Sequence, residues 1–195
     1  CNSKTIKEFN ITTKKNDAVR RCTSEGFECE KIAIEKIKHF VSKDAFNIDG
    51  FGKKIVENFW KMKLIKLPQD IFRLNFEKIK SLEGWGSQSV ENLKYSINEK
   101  KNIALERFIY SLGIRHIGLE NAKILSKHFR SFSKFKSLSK KQRYEDLLNI
   151  DGIGETQINS IKSFFLNKVN LNILNELQKI IIVFILVVFN YPFFY

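Results

Sequence analysis

Three cysteines, Cys1, Cys22 and Cys29, are the residues best placed by type to hold a metal. A structural zinc site takes four ligands in a tetrahedron, commonly as paired cysteines. Three thiols offer three corners of it. Cys22 and Cys29 are separated by "TSEGFE", a weak spacing, and free thiols account for the same residues, so both readings stay open at this point. His39 is the nearest spare imidazole, but it falls inside a helical stretch and is not assigned as a ligand. An odd cysteine count with no signal-like opening argues against a disulfide framework.

A second chemistry recurs along the chain. "NIDGFG" at 47–52 returns as "NIDGIG" at 149–154, and related turns stand at Gly84-Trp85-Gly86 and His116-Ile117-Gly118. Glycine takes positive φ, which lets a chain reverse tightly, and Gly86 is expected there with the others. Lacking a Cβ, it also admits a phosphate close to the backbone. The middle residue is apolar in each copy (Phe51, Trp85, Ile117, Ile153) and is expected to plug the space between two helices. The turn amides then join the unpaired N–H groups of the following helix, whose end carries partial positive charge. Such an end is an anion site. It reads phosphates and not bases, so four in series would follow a duplex without sequence preference. A repeat used only for helix packing is the competing reading.

These turns need helices on either side, and the sequence supplies them. The turns begin at 50, 84, 116 and 152, and such a period calls for a repeat architecture. Apolar residues resume at helical spacing after each turn, as Ile55 and Phe59, or Val90, Leu93 and Ile97. Short helical runs such as "FIYSL" and "RYEDLLNI" precede them. Ahead of the repeat, 31–43 reads as a helix with Ile34, Ile37 and Val41 on one face, and "TIKEFNI" and "AVRRC" read as short strands.

The 195 residues carry a net charge of +13 from 34 basic residues, with 43% hydrophobic content. The apolar content argues against global disorder, and the charge points to a polyanionic partner such as nucleic acid. The excess of Lys, Ile, Asn and Phe also has the profile of an AT-rich genome, which accounts for part of the charge.

The repeated unit is the helix-hairpin-helix motif. "IKHFVSKDAFNIDGFGKKIVE", "LEGWGSQSVENL", "SLGIRHIGLENAKIL" and "IDGIGETQINSI", in this order, resemble the C-terminal half of bacterial NAD-dependent DNA ligases over about residues 1–179. "LGIRHIG" is the most specific element. The resemblance implies a mainly α fold: tandem helix-hairpin-helix repeats preceded by a small, incomplete zinc-finger-like segment with short strands. It divides the chain into a partial four-cysteine finger (1–30), four repeats (31–179) and an apolar tail (180–195). It implies zinc on Cys1, Cys22 and Cys29, in a finger whose first cysteine would lie ahead of Cys1. It implies contacts to the backbone of double-stranded, nicked DNA from Gly50, Gly52, Lys53 and Lys54 in the first copy and Gly84, Gly86 and Ser87 in the second. In the third they come from Arg115, His116 and Gly118, and in the fourth from Gly152, Gly154 and Thr156. Arg115 and His116 offer charge to a phosphate, although His116 as a cap or packing residue fits equally. Glu155 would repel a phosphate, so the fourth copy is expected to be weaker.

The same resemblance defines what is missing. The family's nucleophile is the lysine of a Lys-x-Asp-Gly motif, whereas both Asp-Gly pairs here, Asp49-Gly50 and Asp151-Gly152, have Asn two residues ahead of Asp. No catalytic residue is assigned, and the chain alone is expected not to ligate. NAD and magnesium are expected only in a full-length enzyme, and no small-molecule substrate on this part. A start on Cys1, with Met62 as the only methionine, points to a piece of a longer chain, with a separately encoded N-terminal part as a further partner. The implied setting is the bacterial cytoplasm, at the nucleoid, in replication and repair. A self-standing helix-hairpin-helix module of a repair or recombination protein is the alternative. The run "IIIVFILVVFNYPFFY" (180–195) shows neither helical nor strand alternation and departs from the family, where a polar linker and a BRCT domain follow. A frameshift near Lys179, or a short membrane anchor, is the expectation there, although sixteen residues fall short of the roughly 20 a spanning helix needs.

Overall fold

Two short strands open the chain. β1 (Thr5–Asn10) pairs antiparallel with β2 (Lys15–Cys22), Thr5 lying opposite Cys22 and Lys7 opposite Arg20, with an irregularity between Lys7 and Phe9. The computed structural model describes residues 1–10, 14–24, 26–141 and 144–185, and nearly everything after the hairpin is helical.

The first helix, α1 (Glu30–Phe40), buries Ala33, Ile37 and Phe40. Of the expected stripe, Ile37 and Val41 are buried and Ile34 is partly buried against the core, with Phe40 added to that face. A turn at 48–51 leads to α2 (Lys53–Lys61), which buries Val56, Phe59 and Trp60. A 3-10 segment (Pro68–Arg73) and the short α3 (Phe76–Lys80) lead to the second turn and α4 (Ser87–Glu99). Strand β3 (Asn102–Ala104) and α5 (Leu105–Ser111) precede the third turn and α6 (Leu119–Phe129). Then come α7 (Phe132–Lys136), α8 (Leu138–Lys141) and a 3-10 turn (Glu145–Asn149). The fourth turn, α9 (Glu155–Leu166) and α10 (Lys168–Gln178) complete the helical part.

The copies pack in pairs. The turn of the first touches α4 of the second: a Cβ placed on Gly50 would lie 3.8 Å from Leu93 Cδ1. In return Trp85, at the centre of the second turn, packs on Phe59 of α2 with ring centroids 5.5 Å apart. The fourth turn touches α6 of the third, where Asn121 Nδ2 donates to the Gly152 carbonyl at 3.0 Å. Apolar burial drives this arrangement, and one core runs through it, rich in aromatic contacts such as Phe40–Phe46, Phe108–Phe132 and Phe135–Phe165. Ion pairs tie elements across it. Lys38 joins α1 to Glu57 of α2 at 2.6 Å, and Arg73 reaches Glu176 of α10 at 2.5 Å.

The start of the apolar tail joins the fold. Ile181 is buried, and β4 (Ile182–Phe184) pairs in parallel with β3, Asn102 opposite Ile182 and Ala104 opposite Phe184. An apolar, β-branched run beside an open strand edge finds the backbone partners it needs there, so no side-chain alternation was required to make it a strand. Residues 186–195 lie outside the described residues. Among the described residues, no helix is long and apolar enough to cross a membrane.

Candidate nucleic-acid interface

The four turns are built on one plan. In each, the amide of the central apolar residue donates to the carbonyl three residues back: Phe51 to Ile48 (3.2 Å), Trp85 to Leu82 (3.2 Å), Ile117 to Ile114 (3.1 Å) and Ile153 to Ile150 (3.0 Å). That is a β-turn, and its third residue stands at positive φ: Gly50 at 79°, Gly84 at 81°, His116 at 60° and Gly152 at 85°. Turns of this kind favour glycine at that position. His116 is an L-residue held there, a conformation that costs roughly 1–3 kcal/mol unless the surroundings enforce it.

The second glycine of each turn does a different job. Gly52, Gly86, Gly118 and Gly154 are the N-caps of α2, α4, α6 and α9, with φ of −69°, −87°, −80° and −99°. This is extended backbone open to any residue, so the expectation of positive φ at Gly86 is corrected. The reason is helix entry: an N-cap is extended while its carbonyl accepts the first helical bond, and each of these carbonyls does so, as from Val56 to Gly52 at 3.1 Å.

Burial sorts the residues cleanly. The central side chains Phe51, Ile117 and Ile153 are buried and Trp85 is half-buried against the core. Gly50, Gly52, Lys53, Lys54, Gly84, Gly86, Ser87, Arg115, His116, Gly118, Gly152, Gly154 and Thr156 are all exposed. Each turn therefore anchors its apolar centre and turns its backbone and its helix start to solvent. Lys53 and Lys54 begin α2. Arg115 has a partner within the chain.

Two features of the turns escape a reading of Gly-x-Gly alone. Three N-cap amides are capped by the side chain three residues on: Gly86 N–H donates to Ser89 Oγ (3.2 Å), Gly118 N–H to Asn121 Oδ1 (3.4 Å) and Gly154 N–H to Gln157 Oε1 (3.2 Å). The signal was in the sequence, as half of a capping box. The first copy has Ile55 there, and α2 has no side-chain cap. The residue before the positive-φ position is also acidic in three copies, Asp49, Glu83 and Asp151, and basic only in the third, Arg115. The fourth turn in addition has Glu155 opening α9, whereas α2 opens on Lys53 and Lys54.

At the other end of the chain the cysteines converge. The sulfurs of Cys1, Cys22 and Cys29 lie within 4.8 Å of one another, with Cys1 and Cys22 at 3.5 Å. Tetrahedral zinc with Zn–S bonds of about 2.3 Å holds its sulfurs roughly 3.8 Å apart, so the three thiols fit three corners. The Ser24 hydroxyl, and then its backbone amide, draw the Cys22 thiol below its ordinary pKa, toward the thiolate that a metal binds. His39 is engaged elsewhere, its Nε2 bonded to the Tyr110 carbonyl at 2.8 Å. Among the described residues the cluster holds three ligands.

Comparison with known proteins gives this geometry a family. A family model described as "Helix-hairpin-helix motif" matches residues 107–174, the third and fourth copies. A DNA ligase of Pelagibacter ubique is 72% identical over 92% of the chain and 26% of its own length. Nearly the whole chain is similar to part of a DNA ligase. DNA ligases of Parvibaculum lavamentivorans (39% identity, 92% of the chain, 27% of the relative) and Ehrlichia canis (48%, 81% and 24%) are similar to it as well. The chain spans about a quarter of the length of the curated relatives it matches, and these matches favour a ligase fragment over a self-standing repair module.

Proposed function

We propose that the chain is the DNA-gripping part of a ligase, holding the backbone of a nicked duplex through its four hairpin turns without reading sequence. The observation that carries this is the fourfold turn: one backbone geometry, a buried apolar centre, and an exposed helix start. Positive helix ends and exposed amides at a regular period suit a regular array of phosphates. The NAD-dependent class, the transfer of AMP, its magnesium, and work in replication and repair at the bacterial nucleoid belong to the same proposal. They rest on the resemblance of "LGIRHIG" and the neighbouring repeats, with the adenylating nucleophile on a part of the enzyme other than these residues, whether joined to it or separately encoded.

Phosphate contacts release counterions, so the logarithm of affinity falls with that of salt by about 0.9 per contact. With one contact per turn, raising salt fourfold lowers affinity by roughly two orders of magnitude. Fluorescence anisotropy on unrelated duplexes is expected to give that slope and nearly equal affinities. A flat salt response, or a strong preference for one sequence, refutes the reading.

Within this proposal zinc is held by Cys1, Cys22 and Cys29, closing the base of the β1–β2 hairpin onto the start of α1. Metal that binds only the folded form stabilises it. Cys22→Ser is therefore expected to lower both the zinc retained by the purified chain, measured by mass spectrometry, and its melting temperature. Equal zinc content in parent and variant would remove Cys22 from the ligand set.

A further inference from the structure

The β1–β2 hairpin stands apart from the helical core. Every side chain described on its two strands is exposed, whichever face it points from, except Cys22 at the end of β2. Ile6, Phe9 and Val19 are 50–60% accessible. A lone two-stranded hairpin is marginal in water, and among the described residues no other ring packs on its exposed Phe9.

The charges add a second anomaly. Lys7 lies directly opposite Arg20, and like charges facing each other across a ladder destabilise it. Arg20 is fixed on the hairpin, its Nη1 donating to the Thr5 carbonyl at 3.1 Å. Phe9 follows Lys7 by two residues on β1, across the irregularity in the ladder, so an exposed phenyl ring lies close along the strand to two facing cations. Between Lys4 and Arg21 the sequence has six basic residues, Lys4, Lys7, Lys14, Lys15, Arg20 and Arg21, against two acidic ones, Glu8 and Asp17. An anion shared by Lys7 and Arg20 turns their repulsion into a binding contribution. A flat π-face beside it suits a base, and base-on-aromatic stacking tolerates any sequence. In an intact duplex the base faces are already stacked, so the ring can receive a base only where a strand is unpaired.

We propose that this face of the hairpin binds single-stranded DNA, a phosphate bridging Lys7 and Arg20 and a base stacking on Phe9. The site rests on the DNA-gripping reading but is distinct from the four turns, and it takes an unpaired strand beside the duplex they hold.

The test compares a blunt duplex with the same duplex carrying a single-stranded arm, each fluorescently labelled and titrated with the full chain. The parent is expected to bind the armed duplex more tightly. Phe9→Ala should remove that advantage, about fivefold or more from lost stacking, and leave blunt-duplex affinity unchanged. Phe9→Trp should keep it, with indole fluorescence beyond the parent's quenched by the arm. Lys7→Ala should reduce the arm-dependent salt slope by about one. Equal binding of the armed duplex by parent and Phe9→Ala overturns the proposal. So does a change of oligomeric state in Phe9→Ala without a change in arm binding, since the face would then be a protein contact. Loss of blunt-duplex binding with arm binding kept would count against the turns alone. Binding of neither probe overturns both readings.

Discussion

Gly152→Ala is expected to destabilise the chain by about 1.5–3.5 kcal/mol, well beyond the same change at Gly84. Both glycines stand at the same place in their turns, with φ of 85° and 81°, so both variants force an L-residue into the left-handed region at roughly 1–2 kcal/mol. They differ in what the new methyl meets. A Cβ on Gly84 has nothing within 4 Å, whereas one on Gly152 lies 2.7 Å from Ile124 Cδ1. That atom is the free end of a side chain, so Ile124 yields by leaving its rotamer, adding about 0.5–1.5 kcal/mol. For a chain of this length the total corresponds to a melting temperature lower by roughly 3–14 °C. Calorimetry on Gly84→Ala, Gly152→Ala and the pair Ile124→Ala/Gly152→Ala separates the two terms. In the Ile124→Ala background Gly152→Ala should cost only what Gly84→Ala does. Equal losses at 84 and 152 in the parent would mean that the fourth turn does not press on α6.

The largest effect on DNA is expected from changing all four N-cap glycines to aspartate: Gly52→Asp, Gly86→Asp, Gly118→Asp and Gly154→Asp. Their extended backbone accepts any residue, and aspartate is among the best N-caps and complements the helix dipole. Stability should hold or rise by a few tenths of a kcal/mol per cap. Each carboxylate would occupy the place proposed for a phosphate, and like-charge juxtaposition of that kind costs several kcal/mol where it is close. Even at a tenfold loss per turn, affinity for blunt duplex should fall by about four orders of magnitude. Charge alone is controlled by Lys63→Gln, Lys134→Gln, Lys168→Gln and Lys179→Gln, exposed lysines outside the turns, which take the net charge from +13 to +9 as the aspartates do. If the two variants weaken binding equally, the turns are packing elements and the affinity is a property of the basic surface.

The repeat was legible because it is local. A Gly-x-Gly with an apolar centre, followed by helical spacing, fixes a turn and a helix start from a few residues, and Phe51, Ile117 and Ile153 are buried as the pattern requires. The division of labour between the two glycines was not legible. Both are glycine, but only Gly50, Gly84 and Gly152 need positive φ, and His116 holds that position without being one. The pairing of copies escaped too, since Trp85 on Phe59 and Asn121 on Gly152 are long-range contacts that periodicity does not encode. Convergence of Cys1, Cys22 and Cys29 depended likewise on the hairpin register that sets Thr5 opposite Cys22. Strand β4 was hidden because its partner, β3, lies far back in the sequence, before α5, and offers only residues 102–104.

That parallel pairing sets an order of events during synthesis. β3 leaves the ribosome before the third and fourth hairpins, and β4 follows only after α10. A parallel partner cannot arrive by a tight turn and has to wait for the intervening helices to be made. Until Ile182 emerges, the backbone of Asn102–Ala104 has an open edge of the kind that recruits strands from other chains. The third and fourth hairpins are therefore latched from outside and last, and the newborn chain is most prone to stick to its neighbours in the interval just before it is closed.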